Sequence, residues 1–371
     1  MRRVLLLISA LALAVSLAPA AGAATTAPND ALWGEQWGPQ QVHAPEAWTT
    51  STGTGQVIAI VDSGVDLAHP DLVGKFVPGA TFVGCATNGP CGDGDWESGG
   101  KAAGAPEPHG THVAGIAAAV TNNSQGIAGV APDAKIMPVK VLGEEGGTFP
   151  EIAAGIRWAA DHGADVINLS LGAIPGVQAL EITGIESNAT DAINYANSKG
   201  VVVVAAAGND FASICGSPSF NDGALCVAAT DRYELRANYS NFAIKPDLMT
   251  VSAPGGQGAV FCDEDIISTV PVGREDYCPG NAGYDNYAGT SMATPHVAGV
   301  AALLTAQGRT NDAVYDVLMS TARTPHSDVR GVYDPVYGYG IVDAAAAVAA
   351  PGATTTTTTT AKSKGGPKKA R

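Results

Sequence analysis

Three polar residues have the side chains that nucleophilic catalysis needs, and each lies where an apolar run begins or ends. Asp62 follows the run VIAIV, His109 opens the stretch HGTHVAGIAAAV, and Ser291 lies in GTSMATPHVAG. A serine hydroxyl attacks a carbonyl when a histidine takes its proton and a carboxylate orients that histidine. Taken singly, the residues also suit a turn, a helix start and a helix cap. Their joint occurrence favours catalysis.

Pro295 constrains where the helix that carries Ser291 can begin. Proline has no N–H, and its ring clashes with the carbonyl four residues earlier, which belongs to Ser291. We therefore predict that the regular helix begins no earlier than Ser291. A residue at a helix N-terminus lies among unpaired N–H groups that stabilise a nearby negative charge. The alternative is a serine that only caps the helix.

The segments between these residues indicate an α/β fold. Short, continuously apolar runs predict strands at 55–61, 134–142, 165–171 and 201–209, and helical patterns cover 151–163 and 189–200. Continuous apolar runs are typical of parallel strands that are covered on both faces. We predict a three-layer α/β fold in which helices cover both faces of a mostly parallel central sheet.

Composition divides the 371 residues into three parts. Residues 1–23 combine two arginines, an apolar run and small residues before the predicted cleavage point, which predicts a secretory signal peptide. Residues 24–350 can bury a large core, and none of their apolar stretches is long enough to span a bilayer. Residues 351–371 contain seven threonines in a row and a basic end, which predicts a disordered linker and tail.

The tail has three interpretations, namely a glycosylated stalk, a cationic anchor to an acidic cell surface, and a solvated segment without a specific partner. The third needs the fewest assumptions. Seven of the 20 basic residues lie in the signal and the tail, which leaves 13 against 35 acidic residues, a net charge of −22, for residues 24–350. Such a surface repels nucleic acid and attracts cations. We expect a secreted, soluble monomer that binds no nucleic acid.

Six cysteines in an exported chain suggest disulfides. They allow fifteen pairings, of which we expect the three couples that are close in sequence. The spacing does not resemble a zinc site. The expected couples are Cys85 with Cys91, Cys215 with Cys226, and Cys262 with Cys278.

The three motifs resemble those of the subtilisin family of serine proteases, most closely its thermitase branch. The resemblance runs from about residue 29 to residue 350, and the chain order of Asp, His and Ser is that of subtilisin. It implies a peptidase domain over 24–350 that cleaves extended polypeptides with broad specificity. It further implies that Asp62 orients the imidazole, that His109 is the general base and then the acid, and that Ser291 attacks the peptide carbonyl.

The resemblance assigns further residues to the site. Asn209 matches the asparagine that stabilises the oxyanion in this family, and its alternative is a turn residue. Two segments match the strands between which the family binds an extended peptide by β-augmentation, although the first also suits a plain turn. The segments are Gly146, Gly147 and Thr148, and Ser170, Leu171 and Gly172. His112 and His296 are expected to be structural.

A calcium site is also implied by the resemblance. Two carboxylates, side-chain amide oxygens and backbone carbonyls would supply six oxygens, which suits Ca²⁺. The alternative is a surface turn without metal. The implied ligands are the carboxylates of Asp30 and Asp71, the side chains of Asn123 and Gln125, and the carbonyls of Val120 and Ile127.

Two other functions are weighed against a protease. A catalytically inactive secreted binding or surface module on the same scaffold would need none of the four catalytic residues. A lipase or esterase of the α/β-hydrolase class would place its serine first in the chain, within G-x-S-x-G, whereas 289–293 lacks the second glycine. We also expect only a few residues between the cleaved signal and Asp30, without the inhibitory pro-segment that secreted relatives usually carry.

Overall fold

The computed structural model describes residues 27–85, 89–98, 108–144, 146–172, 188–221, 223–242, 247–258 and 261–352. The predicted signal peptide and residues 353–371 of the predicted tail lie outside these ranges. Among the described residues, none of the helices has the length and apolar character needed to cross a membrane.

A central sheet of seven strands organises the molecule, in the spatial order β2-β3-β1-β4-β5-β6-β7. Neighbouring strands are parallel throughout, and every residue of β4 to β7 is buried. The strands are β1 (Val57–Asp62), β2 (Ala80–Thr81), β3 (Lys135–Lys140), β4 (Val166–Leu169), β5 (Val202–Ala206), β6 (Leu225–Thr230) and β7 (Thr250–Pro254).

Helices cover both faces of this sheet. Ile58 and Ile60 of β1 pack into one apolar cluster, while the alternate residues Ala59 and Val61 pack into the other. The helices of the first face are α1 (Trp37–Gln41), α2 (Ala44–Ala47), α3 (His109–Ala118), α6 (Thr290–Thr305), α7 (Asn311–Thr321) and α8 (Ala344–Ala349). Those of the second face are α4 (Phe149–Asp161) and α5 (Asn188–Ser198). The predicted three-layer α/β fold is confirmed.

An antiparallel hairpin lies beside the main sheet and was not predicted. It pairs β8 (Ile266–Thr269) with β9 (Tyr284–Tyr287) and packs against α3. A short 3₁₀ turn, Cys262–Glu264, precedes it. The six cysteines form three disulfides, Cys85–Cys91, Cys215–Cys226 and Cys262–Cys278.

Candidate active site

Three different elements bring Asp62, His109 and Ser291 together at the carboxyl ends of the strands. Asp62 is the last residue of β1, His109 is the first residue of α3, and Ser291 is the second residue of α6. Helix α3 packs against both β1 and α6. Residues that are far apart in sequence therefore converge at the carboxyl ends of parallel strands, where open α/β sheets usually bind their ligands.

Asp62 and His109 form a partly buried hydrogen bond of 2.8 Å between Oδ1 and Nδ1. The carboxylate is fully buried, and its Oδ1 also accepts the N–H of Ser63 at 2.7 Å. A carboxylate only accepts, so Nδ1 of a neutral His109 carries the proton and Nε2 is left as the base. Gly110 allows this approach, because a Cβ there would lie 2.3 Å from the carbonyl oxygen of Gly64.

Ser291 is held by a pair of hydrogen bonds with Ser170. The Ser170 hydroxyl donates to the Ser291 carbonyl at 2.8 Å, and the Ser291 hydroxyl donates to the Ser170 carbonyl at 3.3 Å. The first bond follows from Pro295, since proline has no N–H to offer the carbonyl four residues earlier. Helix α6 begins at Thr290, so the prediction that it begins no earlier than Ser291 is wrong by one residue.

Asn209 has its side-chain amide oriented by Thr290. Its Oδ1 accepts both the Thr290 N–H and the Thr290 hydroxyl, each at 2.9 Å, so Nδ2 is free to face elsewhere. A Cβ built on Gly289 would lie 3.5 Å from that Nδ2 and 3.6 Å from the backbone N of Ser291. The two nitrogen atoms, from separate elements, thus lie near one point beside the serine.

His109, Asn209 and Ser291 border one open cleft of about 640 Å³. It is lined by Pro108, His109, Asn209, Ser291 and Met292, together with residues between 258 and 288 that precede α6 in the chain. A hydroxyl, an oriented imidazole and two N–H donors around a solvent-accessible cleft have the composition needed for acyl transfer.

A family model described as "Subtilase family" matches residues 53–340, which is most of the chain. The chain belongs to the subtilase family. It is similar to thermitase of Thermoactinomyces vulgaris, with 43% identity over 80% of this chain and 91% of that protein. It is 42% identical to the thermophilic serine proteinase of Bacillus sp. strain AK1, over 80% of this chain and 64% of that protein. The extracellular protease of Xanthomonas campestris pv. campestris is 39% identical, over 86% of this chain and 56% of that protein.

Solved structures give the same result. A protease from Pseudoalteromonas arctica superposes with a TM-score of 0.72 and 38% identity, over 88% of this chain and 99% of that one. Fervidolysin from Fervidobacterium pennivorans, a keratinolytic enzyme related to subtilisin, superposes with a TM-score of 0.70 and 32% identity. The match covers 88% of this chain and 47% of that one. This subtilase is a serine protease that acts on polypeptides.

The two predicted substrate segments of the subtilase differ in their surroundings. Ser170, Leu171 and Gly172 follow β4 directly, and Ser170 is bonded to Ser291 as described above. In the other segment, Gly146 and Gly143 exchange backbone hydrogen bonds of 3.0 and 2.9 Å. Thr148 caps α4 in a capping box with Glu151, and Gly147 lies between these two structures. Gly146 therefore takes part in a turn, and its role in binding substrate stays a prediction.

The other two histidines near the catalytic elements are buried and neutral. His112 Nε2 donates to the Ile266 carbonyl at 3.0 Å, and its ring stacks on Tyr287. His296 Nδ1 donates to the Met292 carbonyl at 2.8 Å. Burial lowers the pKa of His112 to about 3 and that of His296 to about 4. Both therefore contribute packing and hydrogen bonds rather than charge.

The predicted metal ligands lie together where the N-terminal segment meets the loop after α3. Asp71 is fully buried and accepts the Ile127 N–H at 2.9 Å and the Asn123 side-chain amide at 2.6 Å. Asp30, also buried, accepts the Asn123 N–H at 3.3 Å. Burial raises the pKa of Asp71 to about 6. Two carboxylates are thus desolvated side by side.

The remaining predicted ligands lie on the same loop. The Val120 N–H donates to the Asp71 carbonyl at 2.9 Å, and the Gln125 N–H donates to Asn123 Oδ1 at 2.8 Å. Within the described part of the chain, neither Asp30 nor Asp71 pairs with a lysine or arginine. There too, no three acidic, histidine or cysteine side chains group as metal ligands. A metal here would need amide and carbonyl oxygens besides the two carboxylates.

One part of the cleft was missed by sequence reasoning, which assigned only its cysteines. The segment 261–278 contributes Cys262, Arg274, Tyr277 and Cys278 to the lining. Its signal in the sequence is an aromatic residue beside each of the two cysteines, Phe261 before Cys262 and Tyr277 before Cys278.

Proposed function

We propose that the chain is a secreted serine endopeptidase in which Ser291 is the nucleophile, His109 the general base and Asp62 the group that orients and stabilises the imidazole. The observation that carries the proposal is the 2.8 Å bond from His109 to a fully buried Asp62 at the edge of the cleft that contains Ser291. A buried acceptor fixes the tautomer of the base and stabilises the imidazolium that forms.

The reaction then proceeds in two halves. His109 Nε2 takes the Ser291 hydroxyl proton as the oxygen attacks the peptide carbonyl, and the tetrahedral intermediate carries a negative oxygen. His109 returns the proton to the leaving amine, and an acyl-enzyme remains on Ser291. Water, activated by the same imidazole, hydrolyses this ester and restores the serine.

The negative oxygen is stabilised by Nδ2 of Asn209 and the backbone N–H of Ser291. The proposal is supported by the orientation of the Asn209 amide, whose Oδ1 is fixed by two donors from Thr290. The macrodipole of α6 adds a partial positive charge at the same place, because Ser291 lies in its first turn. Preorganised donors act without reorganisation cost during the reaction.

Substrate binds as an extended strand against Ser170, Leu171 and Gly172, with Gly146, Gly147 and Thr148 on its other side. Backbone pairing of this kind tolerates most side chains, so we expect broad specificity. Gly172 supports this role, since among the described residues the nearest atom to a Cβ built on it is the Ser217 carbonyl oxygen at 3.7 Å.

Calcium is proposed as a structural ion held by Asp30, Asp71, Asn123, the Val120 and Ile127 carbonyls, and an oxygen of Gln125. The donor set fits a hard cation, because all of its members are oxygens and two are buried carboxylates that pair with no cationic side chain of the described residues. When bound, the ion would neutralise these charges and tie the N-terminal segment to the loop after α3.

Residues 24–350 are proposed to form the secreted peptidase domain, after removal of a signal peptide over 1–23. Support comes from the family match over 53–340 and from relatives named as extracellular proteases. We propose a monomer, with 351–371 as a solvated tail, and cell-surface binding through its basic end as the alternative.

The test is to compare the chain with its Ser291→Ala variant. The unmodified protein should hydrolyse casein and should be labelled at Ser291 alone by a phosphonate probe. The variant should do neither, with an unchanged melting temperature, because alanine removes only the attacking oxygen. Undiminished hydrolysis by the variant would disprove the assignment, and an unlabelled, inactive native protein would favour the binding module.

A further inference from the structure

An exposed aromatic residue adjoins a disulfide on one wall of the cleft, which the segment 261–278 forms. Cys262 and Cys278 both line the cleft and are joined, with their Cα atoms 5.9 Å apart. Tyr277, just before Cys278 in the chain, also lines the cleft and is 72% exposed. Large apolar side chains with such exposure at the border of a cleft often mark a binding surface.

This wall is rigidly attached to the element that leads into the catalytic helix. The fully buried carboxylate of Asp285, on β9, accepts the N–H groups of Tyr277 at 2.9 Å and Cys278 at 2.7 Å. The side-chain amide of Asn286, the next residue, donates to the Cys262 carbonyl at 2.7 Å. Both ends of the disulfide are therefore fixed to β9, five residues or fewer before the helix begins.

The wall lies on the side of the site that receives the leaving group. The proposed strand for the acyl half of the substrate is 170–172. Among the described residues, the lining of the cleft includes His109, Ser291 and Tyr277 but no member of that strand. A peptide that runs from 170–172 past Ser291 therefore continues into this cleft with the residues that follow the cleaved bond.

The charged side chains of this segment that line the cleft have partners of their own. Arg274 pairs with Asp276 at 3.3 Å, and Asp265 accepts the Gln257 and Gly258 N–H groups. Tyr277 adds exposed ring surface beside them. The Tyr277 ring meets Tyr287 edge-on with 5.1 Å between centroids.

We propose that Tyr277 is a specificity site for an apolar, preferably aromatic, side chain within the first three substrate residues after the cleaved bond. This inference rests on the proposed function and deepens it, since backbone pairing alone would leave the leaving-group side unselective. A ring held on a rigid wall binds another ring at low entropic cost, because little freedom remains to be lost.

The experiment compares substrates that share the same acyl half. One set of fluorogenic peptides carries phenylalanine or glycine at each of the first three positions after the bond, and a methyl ester of the same acyl half has neither a residue nor a ring there. Cut sites are checked by mass spectrometry. The variants are Tyr277→Ala, which removes the ring, and Tyr277→Phe, which retains it. Val272→Ala is the matched control, because Val272 is also exposed on this segment but does not line the cleft.

The native protein should prefer phenylalanine to glycine at one of these positions by about threefold to tenfold in kcat/KM, the range typical of an added aromatic contact. Tyr277→Ala should lose that preference, while Tyr277→Phe and Val272→Ala should retain it. Hydrolysis of the methyl ester should be the same in all of them. An unchanged preference in Tyr277→Ala, or no preference in the native protein, would overturn the inference. If the native protein cut neither substrate class, the proposed function would fail and this inference with it.

Discussion

Replacing Asn209 by aspartate tests the oxyanion site more sharply than alanine does. The aspartate keeps the shape of the side chain and an oxygen that accepts the two Thr290 donors at 2.9 Å. It replaces only the N–H₂ group that faces the reacting carbonyl with a second carboxylate oxygen. Fold and packing should therefore change little, and the effect should be confined to the transition state.

The expected loss has two contributions. Removing one such donor costs roughly 10²–10³ in kcat, a figure that comes from subtilisin itself. A carboxylate about 3 Å from the developing oxyanion adds repulsion of at most about 5 kcal/mol at an effective dielectric constant of 20, and less in a cleft open to water. We expect Asn209→Asp to be at least about tenfold less active than Asn209→Ala.

The assay is kcat and KM on a peptide nitroanilide, with melting temperatures of the three proteins as the control for folding. KM should change little, since the interaction is formed only in the transition state. The activity of Asn209→Asp relative to the native protein should rise as the pH falls, because the protonated carboxyl becomes a donor. Equal activity of Asn209→Asp and the native protein would refute the oriented-amide argument.

Three further outcomes are expected. In the Ser291→Ala protein, which cannot digest itself, EGTA should lower the melting temperature, and Asp71→Ala should lower it even with calcium. Calcium at a thousandfold excess over Kd would stabilise the folded state by about 4 kcal/mol. Coincident melting curves with calcium and with EGTA would disprove the metal site. Ser170→Ala should lower stability by about 1–3 kcal/mol in chemical unfolding, because it leaves the Ser291 carbonyl unpaired. The hydrogen bond to Asp343 raises the pKa of His43. The stabilisation from this pair should therefore be fully present below about pH 6.5 and should be lost as the pH rises through the folded pKa of His43. The melting temperature of His43→Ala should lack this decline with pH.

Much of the fold could be predicted from the sequence because several of its strands are continuously apolar. β3, β4 and β5 lie within runs predicted as strands, β1 extends one residue beyond its run to Asp62, and the alternate residues of β1 face different apolar clusters. Strands β2, β6 and β7 were not identified. The runs of β6 and β7, LCVAAT and TVSAP, contain small and polar residues, so burial by neighbouring strands rather than local pattern makes them strands.

The catalytic residues were predictable because their motifs are local, whereas the contacts that orient them are not. The bond from Ser170 to Ser291 joins residues 121 apart, and the bond from Asn209 to Thr290 joins residues 81 apart. Neither has a spacing that sequence reasoning could detect. The prediction of where α6 begins was wrong for a related reason. Proline removes one hydrogen bond within α6, and a distant hydroxyl replaces it, so the first turn stays helical.

Pro295 therefore acts through the acceptor that it leaves free rather than through the helix start. An ordinary residue at 295 would give the Ser291 carbonyl an N–H partner inside α6, and the Ser170 hydroxyl would have to share that acceptor. With proline there, the end of β4 is bonded to the residue that carries the nucleophile. Since β4 also leads into the proposed substrate strand, the position of the bound peptide and that of Ser291 are set by the same contact. A change at position 295 should consequently alter substrate positioning as well as helix stability.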